Sequence, residues 1–560
     1  MKIVPLFIPL STAMLLYWTA PYLLVVNSVP GYAPPDAATL KQVVSATALA
    51  RPEPDGPVTL AALEHRAAEP IGRWKTHAKV SEPRAMLARL ALGRDIAAVN
   101  RELQAAAPWS VAGSSWALNK GDYDFTLVTL TALLYLFGDA PETLYPDTVQ
   151  HMCDVLLVEE GGEPQLYVPK TLGRVFDTEN HVLMTETSRY LTNQWLRRHG
   201  SDDPAHHNAE NGLQDWMAAY LNYLRLHGFH EFNSVPYASF ALQALLNMEA
   251  FADPPELAAL ARAVLDLEAR RYALASLDFR QVVPFRRRHN YGDDSRLYVN
   301  ELNSMMAVWA EQPPRRMGSH GAVIAAALPY RPPQRVLDWV RAKPGEYFAR
   351  VGHGRDASPE LYSGGPGFVL SAGGACPGAL SSVMVRPTTL LLRDGAKALR
   401  DCIRIPGKGP KTGWNNTGVH HRFACGPRPV LVPERFSPAC EQGGWHIYAL
   451  PNPGGGRLFA GVFNEADFGL LALFPGYDGA PGELAADLQR ANPDPNTLQA
   501  RFAWPEGGTL CYDVAAPYGQ WVVTHIDGQP AVRDYADWPV LDIDGPASSA
   551  RVRHARAAAS

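Results

Sequence analysis

Between residues 37 and 343 apolar positions recur three and four apart, the spacing that gathers them on one side of an α-helix. The runs are "TLVTLTALLYLF" (126–137), "LMTETSRYLTNQWL" (183–196), "LQDWMAAYLNYLRL" (213–226), "YASFALQALLNMEAF" (237–251), "ELAALARAVLDLEARRYAL" (256–274) and "ELNSMMAVWAEQ" (301–312). Short polar passages rich in Gly, Pro and Asp separate them, among them "GDAPETLYP", "ADPP" and "EQPPRR". The pattern predicts about a dozen helices joined by brief loops. No fixed-period repeat is present, which disfavours a solenoid and leaves antiparallel helix pairs closed into an α/α toroid. Near 345–365 the period changes. After the glycine-rich "GHGRDASPELYSGGPG", short runs such as "GFVLSAGG", "TTLLLRD", "WHIYALP", "RLFAGVF", "FGLLALF", "LCYDV" and "QWVVTHI" alternate with turn residues. These read as strands without intervening helices, hence an antiparallel β-sandwich. The expected organisation is an α domain over 36–343, a β domain over 350–545 and a basic, disordered tail over 546–560.

The first 28 residues stand apart. "IVPLFIPLSTAMLLYWTAPYLLVV" (3–26) carries no charge, and its length suits a membrane span of about 20 residues. It reads as an N-terminal anchor or a signal peptide kinked by Pro5, Pro9 and Pro21, and either role sends the rest of the chain across a membrane, to a periplasmic or secreted location. Over 560 residues the formal charge is only −5, which excludes the basic field of a nucleic-acid binder. Thirteen Trp and 22 Tyr supply flat faces that suit sugars, although helical cores also consume aromatics. Five of the six cysteines (Cys376, Cys402, Cys425, Cys440, Cys511) fall in the second half, as one or two disulfides would require. Cys153, alone in an apolar helix, reads as a small core residue. No Cys/His spacing suggests zinc.

Two stretches carry candidate chemistry. "DTENHVLMTETSRYLTNQWL" (177–196) is an amphipathic helix with Asp177 or Thr178 as its cap and Glu179 complementing the helix dipole. Capping does not explain Asn180 and His181. They are either polar residues tolerated at an exposed helix start or donors able to bind a carboxylate. "HGFHEFNSVPY" (227–237) joins two helices and holds His227, His230, Glu231, Asn233, Ser234 and Tyr237. Tyr237 is either a packing residue at a helix start or a hydroxyl projecting from the rim.

Asn180-His181, a tyrosine-ending loop about two helices later, and then "YSGGPGFVLSAGG" entering a sandwich resemble the heparinase II/III and alginate-lyase group of polysaccharide lyases. By architecture the resemblance covers most of 100–545. It implies β-elimination on a uronic-acid polysaccharide: Asn180 and His181 neutralise the carboxylate, and Tyr237, with or without His230, abstracts the neighbouring proton and protonates the leaving oxygen. A free tyrosine titrates near pH 10, so a basic Tyr237 needs cations. "FRRRHNYGDD" (285–294) offers Arg286, Arg287, Arg288 and His289, with Arg288 the catalytic candidate; the same run also reads as a solvated surface. Glu179, Glu231, Asn233, Tyr123, Trp216 and His421 are the substrate-binding candidates. The family's histidine-rich sandwich strand has its nearest counterpart in "NNTGVHHRFACG", whose His420 and His421 depart from the pattern. No cofactor is therefore expected, and a structural zinc in the sandwich lacks support. An acidic polysaccharide is the expected partner. Two other readings remain. A glycoside hydrolase would draw its carboxylate pair from Glu179, Glu186, Glu231 and Asp293-Asp294, and a non-catalytic carbohydrate-binding or envelope scaffold would keep only the fold.

Overall fold

The computed structural model describes residues 34–53, 56–71, 82–116, 118–157, 161–235, 237–285, 294–353, 359–374, 387–407, 418–453, 456–517, 519–544 and 550–552. The apolar segment 3–26 and the arginines of 286–288 lie outside them. No helix among the described residues is long and apolar enough to cross a membrane.

The helices follow in chain order: α1 (Ala37–Ala46), α2 (Pro57–Ala67), α3 (Glu82–Ala91), α4 (Ile96–Ala105), α5 (Asp124–Phe137), α6 (Pro146–His151), α7 (Glu179–Arg198), α8 (Leu213–His227), α9 (Ala238–Phe251), α10 (Pro255–Leu274), α11 (Glu301–Trp309), α12 (His320–Ala327) and α13 (Gln334–Arg341). Every long periodic run named above forms one of these. Helix α6 continues into a π-helical turn, Met152–Leu156, on which Cys153 is partly buried against the apolar core. The packing runs from α3 to α5, α5 to α7, α7 to α9 and α9 to α12, and α12 returns to α2 and α3.

Helix α7 departs from expectation. An amphipathic helix keeps one wet face, yet Asn180 through Trp195 are all buried. Several of its longer polar residues survive inside because they find partners, as most buried polar groups do. Glu186 accepts from the Gln165 amide N–H at 2.8 Å and faces Arg189 at 3.3 Å. Asn193 donates to Asn208, and Gln194 donates to both the Tyr135 hydroxyl and the Phe251 carbonyl.

The second half is built of antiparallel strands. A two-stranded sheet joins β1 (Ser276–Leu277) and β2 (Arg280–Gln281). Then come β3 (Tyr347–Val351), β4 (Glu360–Gly365), β5 (Phe368–Gly373), β6 (Thr388–Leu392), β7 (Ile403–Ile405), β8 (Gly418–His420), β9 (Phe423–Gly426), β10 (Cys440–Gln442), β11 (Trp445–Ala449), β12 (Leu458–Glu465), β13 (Phe468–Pro475), β14 (Arg501–Ala503), β15 (Thr509–Tyr512), β16 (Val523–Ile526), β17 (Gln529–Pro530), β18 (Leu541–Asp544) and β19 (Ala550–Val552). They pair in the orders β19-β18-β3-β4-β5-β6-β7, β10-β11-β12-β13-β9-β8 and β14-β15-β16-β17. The larger sheets share one apolar core, with Phe348, Leu361 and Leu370 from the first and Phe423, Leu471 and Trp445 from the second. A helix the strand pattern conceals, α14 (Pro481–Ala491), buries Leu484 and Leu488 in the same core.

Where the sequence suggests one boundary between 343 and 350, the compact units interleave. The first comprises residues up to 225, 237–268 and 304–334; the second takes 226–236, 269–303 and 335–560. Hydrogen bonds within the second unit explain this. Arg280 on β2 donates to the Leu392 and Ala396 carbonyls, and Asn233, from the 226–236 segment, donates to Glu360 on β4. The expected disulfides are not formed among the described residues: Cys402, Cys425, Cys440 and Cys511 are free thiols, and Cys376 lies outside them.

Candidate functional site

The start of α7 is shaped by the loop that precedes α5. Gly113 has φ +92°, a backbone region that glycine enters without a Cβ clash. A Cβ on Gly121 would come within 2.2 Å of the Gly113 carbonyl oxygen, so the loop closes tightly on itself. This closure sends the Gly113 N–H to Asp124 Oδ1 (3.2 Å) and the Ser114 N–H to Asp177 Oδ2 (2.8 Å). Asp177 also accepts from the Ser114 hydroxyl and the Thr178 N–H. It ties down the loop and is not the helix cap. Thr178 holds the cap position in extended conformation without a side-chain cap bond. Its hydroxyl donates instead to Asn180 Oδ1 at 2.7 Å.

That bond orients the Asn180 amide. With its oxygen occupied, the Nδ2 group of this residue, 4% exposed, has no hydrogen-bond partner among the described residues. An unmade buried donor costs about 1–3 kcal/mol. Beside it, His181 Nδ1 lies 2.7 Å from Asp124 Oδ2, and Nε2 lies 3.9 Å from Asp122 Oδ1. Burial disfavours the imidazolium, but Asp124, backed by Asp177 and Asp122, outweighs it and raises the His181 pKa above its ordinary 6.5. Burial in turn pushes the Asp124 carboxyl upward against the pull of His181. Two groups are thus left at the helix start: an oriented amide donor and the Nε2 edge of an imidazole whose protonation Asp124 favours.

Phe125 links this pair to Tyr237. The His181 ring meets Phe125 edge-on at 5.2 Å between centroids, and Tyr237 packs on Phe125 at 6.1 Å. Tyr237 is half-buried at the cap position of α9, with no side-chain cap bond. One turn on, Phe240 contacts Phe125 at 4.5 Å, stacks on His320 at 4.2 Å and carries the Arg84 guanidinium at 5.1 Å. Burial, with Arg84 and Arg66 nearby, holds the His320 pKa well below its ordinary value, so this imidazole is neutral. Asp124, Arg84 and His320 were missed in the sequence because each lies far along the chain from Asn180 and in no motif.

Other sequence candidates have contacts of their own. Tyr123 is a core residue: buried, edge-on to Trp109 at 5.8 Å, with its hydroxyl donating to the Leu156 carbonyl at 3.1 Å, and so not available to a sugar. Trp216 stacks on Tyr220 along α8 at 5.1 Å. Glu179 is half-buried in the first turn of α7. Of the hydrolase carboxylates, Glu186 is wholly enclosed by the contacts described above, Asp294 pairs with Arg400, and Asp293 lies outside the described residues. Arg288 lies outside them too.

His230, Glu231, Asn233 and His421 belong to the second unit. His421 (φ +47°) lies 3.6 Å from Asp544 and beside His420, whose pKa burial pushes down to about 3. Among the described residues no group of three or more His, Cys, Asp or Glu is arranged to hold a metal. Asn233 is buried with φ +51°, a conformation asparagine tolerates better than most residues. Its amide donates to Glu360 (2.8 Å), the Tyr362 hydroxyl (3.0 Å) and the Pro284 carbonyl (3.0 Å), and accepts from Gln281 (2.7 Å). Glu360 takes His353 Nε2 on its other oxygen at 2.5 Å, and His353 stacks on Phe232 at 4.1 Å. Burial alone would raise the Glu360 pKa, but His353, Arg271 and Tyr362 overcome it and hold the carboxyl below 4.5. Asn233 is thereby a structural residue of the second unit and not a free sugar ligand.

No protein-family model matches the chain, and no curated protein matches it.

Proposed function

We propose that the chain is a polysaccharide lyase acting on a uronic-acid polymer outside the cytoplasm, with an α/α toroid followed by a β-sandwich. The return of α12 to α2 and α3 supports the toroid, and the shared core of the two larger sheets supports the sandwich. One observation carries the chemical reading. Asn180 Nδ2 is a buried, oriented donor with no hydrogen-bond partner among the described residues, set next to an imidazole whose protonation Asp124 favours. Such a pair suits a carboxylate that arrives with the substrate.

The elimination then runs as follows. Asn180 and His181 donate to the uronate carboxylate and stabilise the enolate that develops when the adjacent C–H bond breaks; preorganised donors of this kind contribute roughly 3–4 kcal/mol each. Tyr237, acting as the base, takes that proton on its phenolic oxygen. The C–H electron pair becomes the new carbon–carbon double bond, the glycosidic C–O bond at the next carbon breaks, and the departing oxygen takes the proton back from Tyr237. No step calls on a metal or cofactor.

The test is incubation with a panel of uronic-acid polymers while following ultraviolet absorbance of the unsaturated product. The reading requires absorbance with at least one polymer, and its loss in Tyr237→Phe. Sugar release without absorbance would establish hydrolysis instead. Full activity of Tyr237→Phe would retain the class and remove this mechanism.

A further inference from the structure

Two loops of the first unit meet beside the start of α7 and expose groups that neither the core nor the elimination chemistry uses. Residues 166–177 form a hairpin-like loop: the Val168 N–H bonds to the Val175 carbonyl and the Asp177 N–H to the Leu166 carbonyl. Asn119 binds this loop to residues 108–123. It accepts from the Trp116 N–H at 2.6 Å and donates to the Pro169 carbonyl at 3.0 Å. At the tip, Lys170 (φ +64°) and Leu172 (φ +55°) hold left-handed backbone conformations, which cost non-glycine residues about 1–3 kcal/mol each and cluster at ligand clamps.

On this frame the rings of Trp116 and Tyr167 lie at the surface, 36% and 37% exposed, with Tyr167 steadied by Phe176 at 4.5 Å. Around them Lys120, Lys170 and Arg174 are exposed. Aromatic faces on loops that also carry exposed cations complement a polymer that is apolar on its ring faces and anionic at its edges. The loops are continuous with the proposed carboxylate site. Ser114, two residues before Trp116, donates to Asp177, three residues before Asn180.

We propose that Trp116 and Tyr167, with Lys120, Lys170 and Arg174, form an extended subsite that holds an acidic polysaccharide chain beside Asn180 and His181. The proposal rests on the lyase reading for its substrate class, but its test is a binding measurement that needs no turnover. Large rings and cations also suit an anionic membrane surface. The saccharide is favoured because the rings are fixed by hydrogen-bonded loops beside a carboxylate-binding pair.

The experiment titrates the full chain by calorimetry with a uronic-acid oligosaccharide, its carboxyl-reduced neutral counterpart and phosphatidylserine vesicles. The variants are Trp116→Ala/Tyr167→Ala and Lys120→Gln/Lys170→Gln/Arg174→Gln. Both alter exposed side chains, and unchanged melting curves confirm folding. The aromatic variant should weaken oligosaccharide binding by about tenfold or more, as loss of stacked aromatic anchors does. The cation variant should lose mainly the salt-dependent part of the affinity and the preference for the acidic over the neutral sugar. Unchanged oligosaccharide affinity in the aromatic variant overturns the subsite, as does binding to vesicles alone. If the wild type binds through these residues yet forms no unsaturated product, the lyase reading fails and the subsite stands. If product forms and neither variant changes KM on long chains, the subsite fails and the lyase reading stands.

Discussion

The molecule buries two polar clusters of similar composition, and they end differently. In the second unit, Glu360 has both oxygens occupied, by His353 on one side and by Asn233 and Tyr362 on the other, and Asn233 is in turn held by Gln281. In the first unit, Asp124 and Thr178 fix His181 and Asn180 in the same manner, yet the chain of bonds stops at Asn180 Nδ2. A carboxylate with both oxygens occupied rigidifies a fold, whereas an oriented amide donor with no partner among the described residues has capacity for a ligand. Histidine, asparagine and carboxylate occur in both, so residue types alone do not separate the two clusters; the occupancy of the asparagine amide does, since Asn233 Nδ2 has partners and Asn180 Nδ2 has none among the described residues.

The sharpest way to break this contrast is to remove the unpaired donor. Asn180→Ala should lower the rate of double-bond formation by about 10²–10³-fold, while its melting temperature stays close to wild type because only the Thr178 bond is lost. A collapse in stability with activity retained per folded molecule would make the first cluster structural as well. The next largest effect is on the closed cluster. His353→Ala leaves Glu360 buried without its charge partner and should cost about 3–5 kcal/mol, read as a shift in the denaturant midpoint, with no change in turnover by the molecules that remain folded.

Acid and base titration separate the clusters again. Glu360 has its carboxyl held below 4.5 in the folded state, so its contribution to stability is complete above that value and declines as pH falls toward the folded value. His181 runs the other way. Its raised pKa gives a contribution that is full below 6.5 and is lost as pH climbs through the folded value, so uronate binding should weaken as pH rises through that raised value. Asp124→Asn removes the main cause and should move that loss of binding to lower pH, as measured by oligosaccharide titration across pH. An unmoved profile would detach His181 from binding. The smallest expected effect is that of Thr178→Val, which frees the Asn180 amide to rotate. Losing one hydrogen bond of about 1 kcal/mol should raise KM roughly fivefold with little change in kcat.

The long elements were legible in the sequence because periodicity reports burial directly: "TLVTLTALLYLF" is α5 and "FGLLALF" is β13. Helix α7 was legible as a helix but not as a buried one, since the partners that satisfy Glu186, Asn193 and Gln194 sit on other segments. The same limit applies to the site. Asn180, His181 and Tyr237 stood out by type and neighbourhood, and in the structure His181 and Tyr237 share the Phe125 ring. Asp124, 57 residues before His181, left no signal, because the loop closure that aims it depends on Gly113 and Gly121. Asn233 misled in the opposite direction. A polar loop residue suggests exposure, and only the fold reveals that Glu360 and Tyr362 enclose it.

The central claim is that Asn180 Nδ2 awaits a substrate carboxylate. Its most direct test compares wild type and Asn180→Ala on a uronic-acid oligosaccharide and on the same sugar with its carboxyl reduced, following ultraviolet absorbance of the new double bond. The account predicts absorbance only for the wild type on the acidic sugar. Equal rates for the two proteins on the acidic sugar would contradict it.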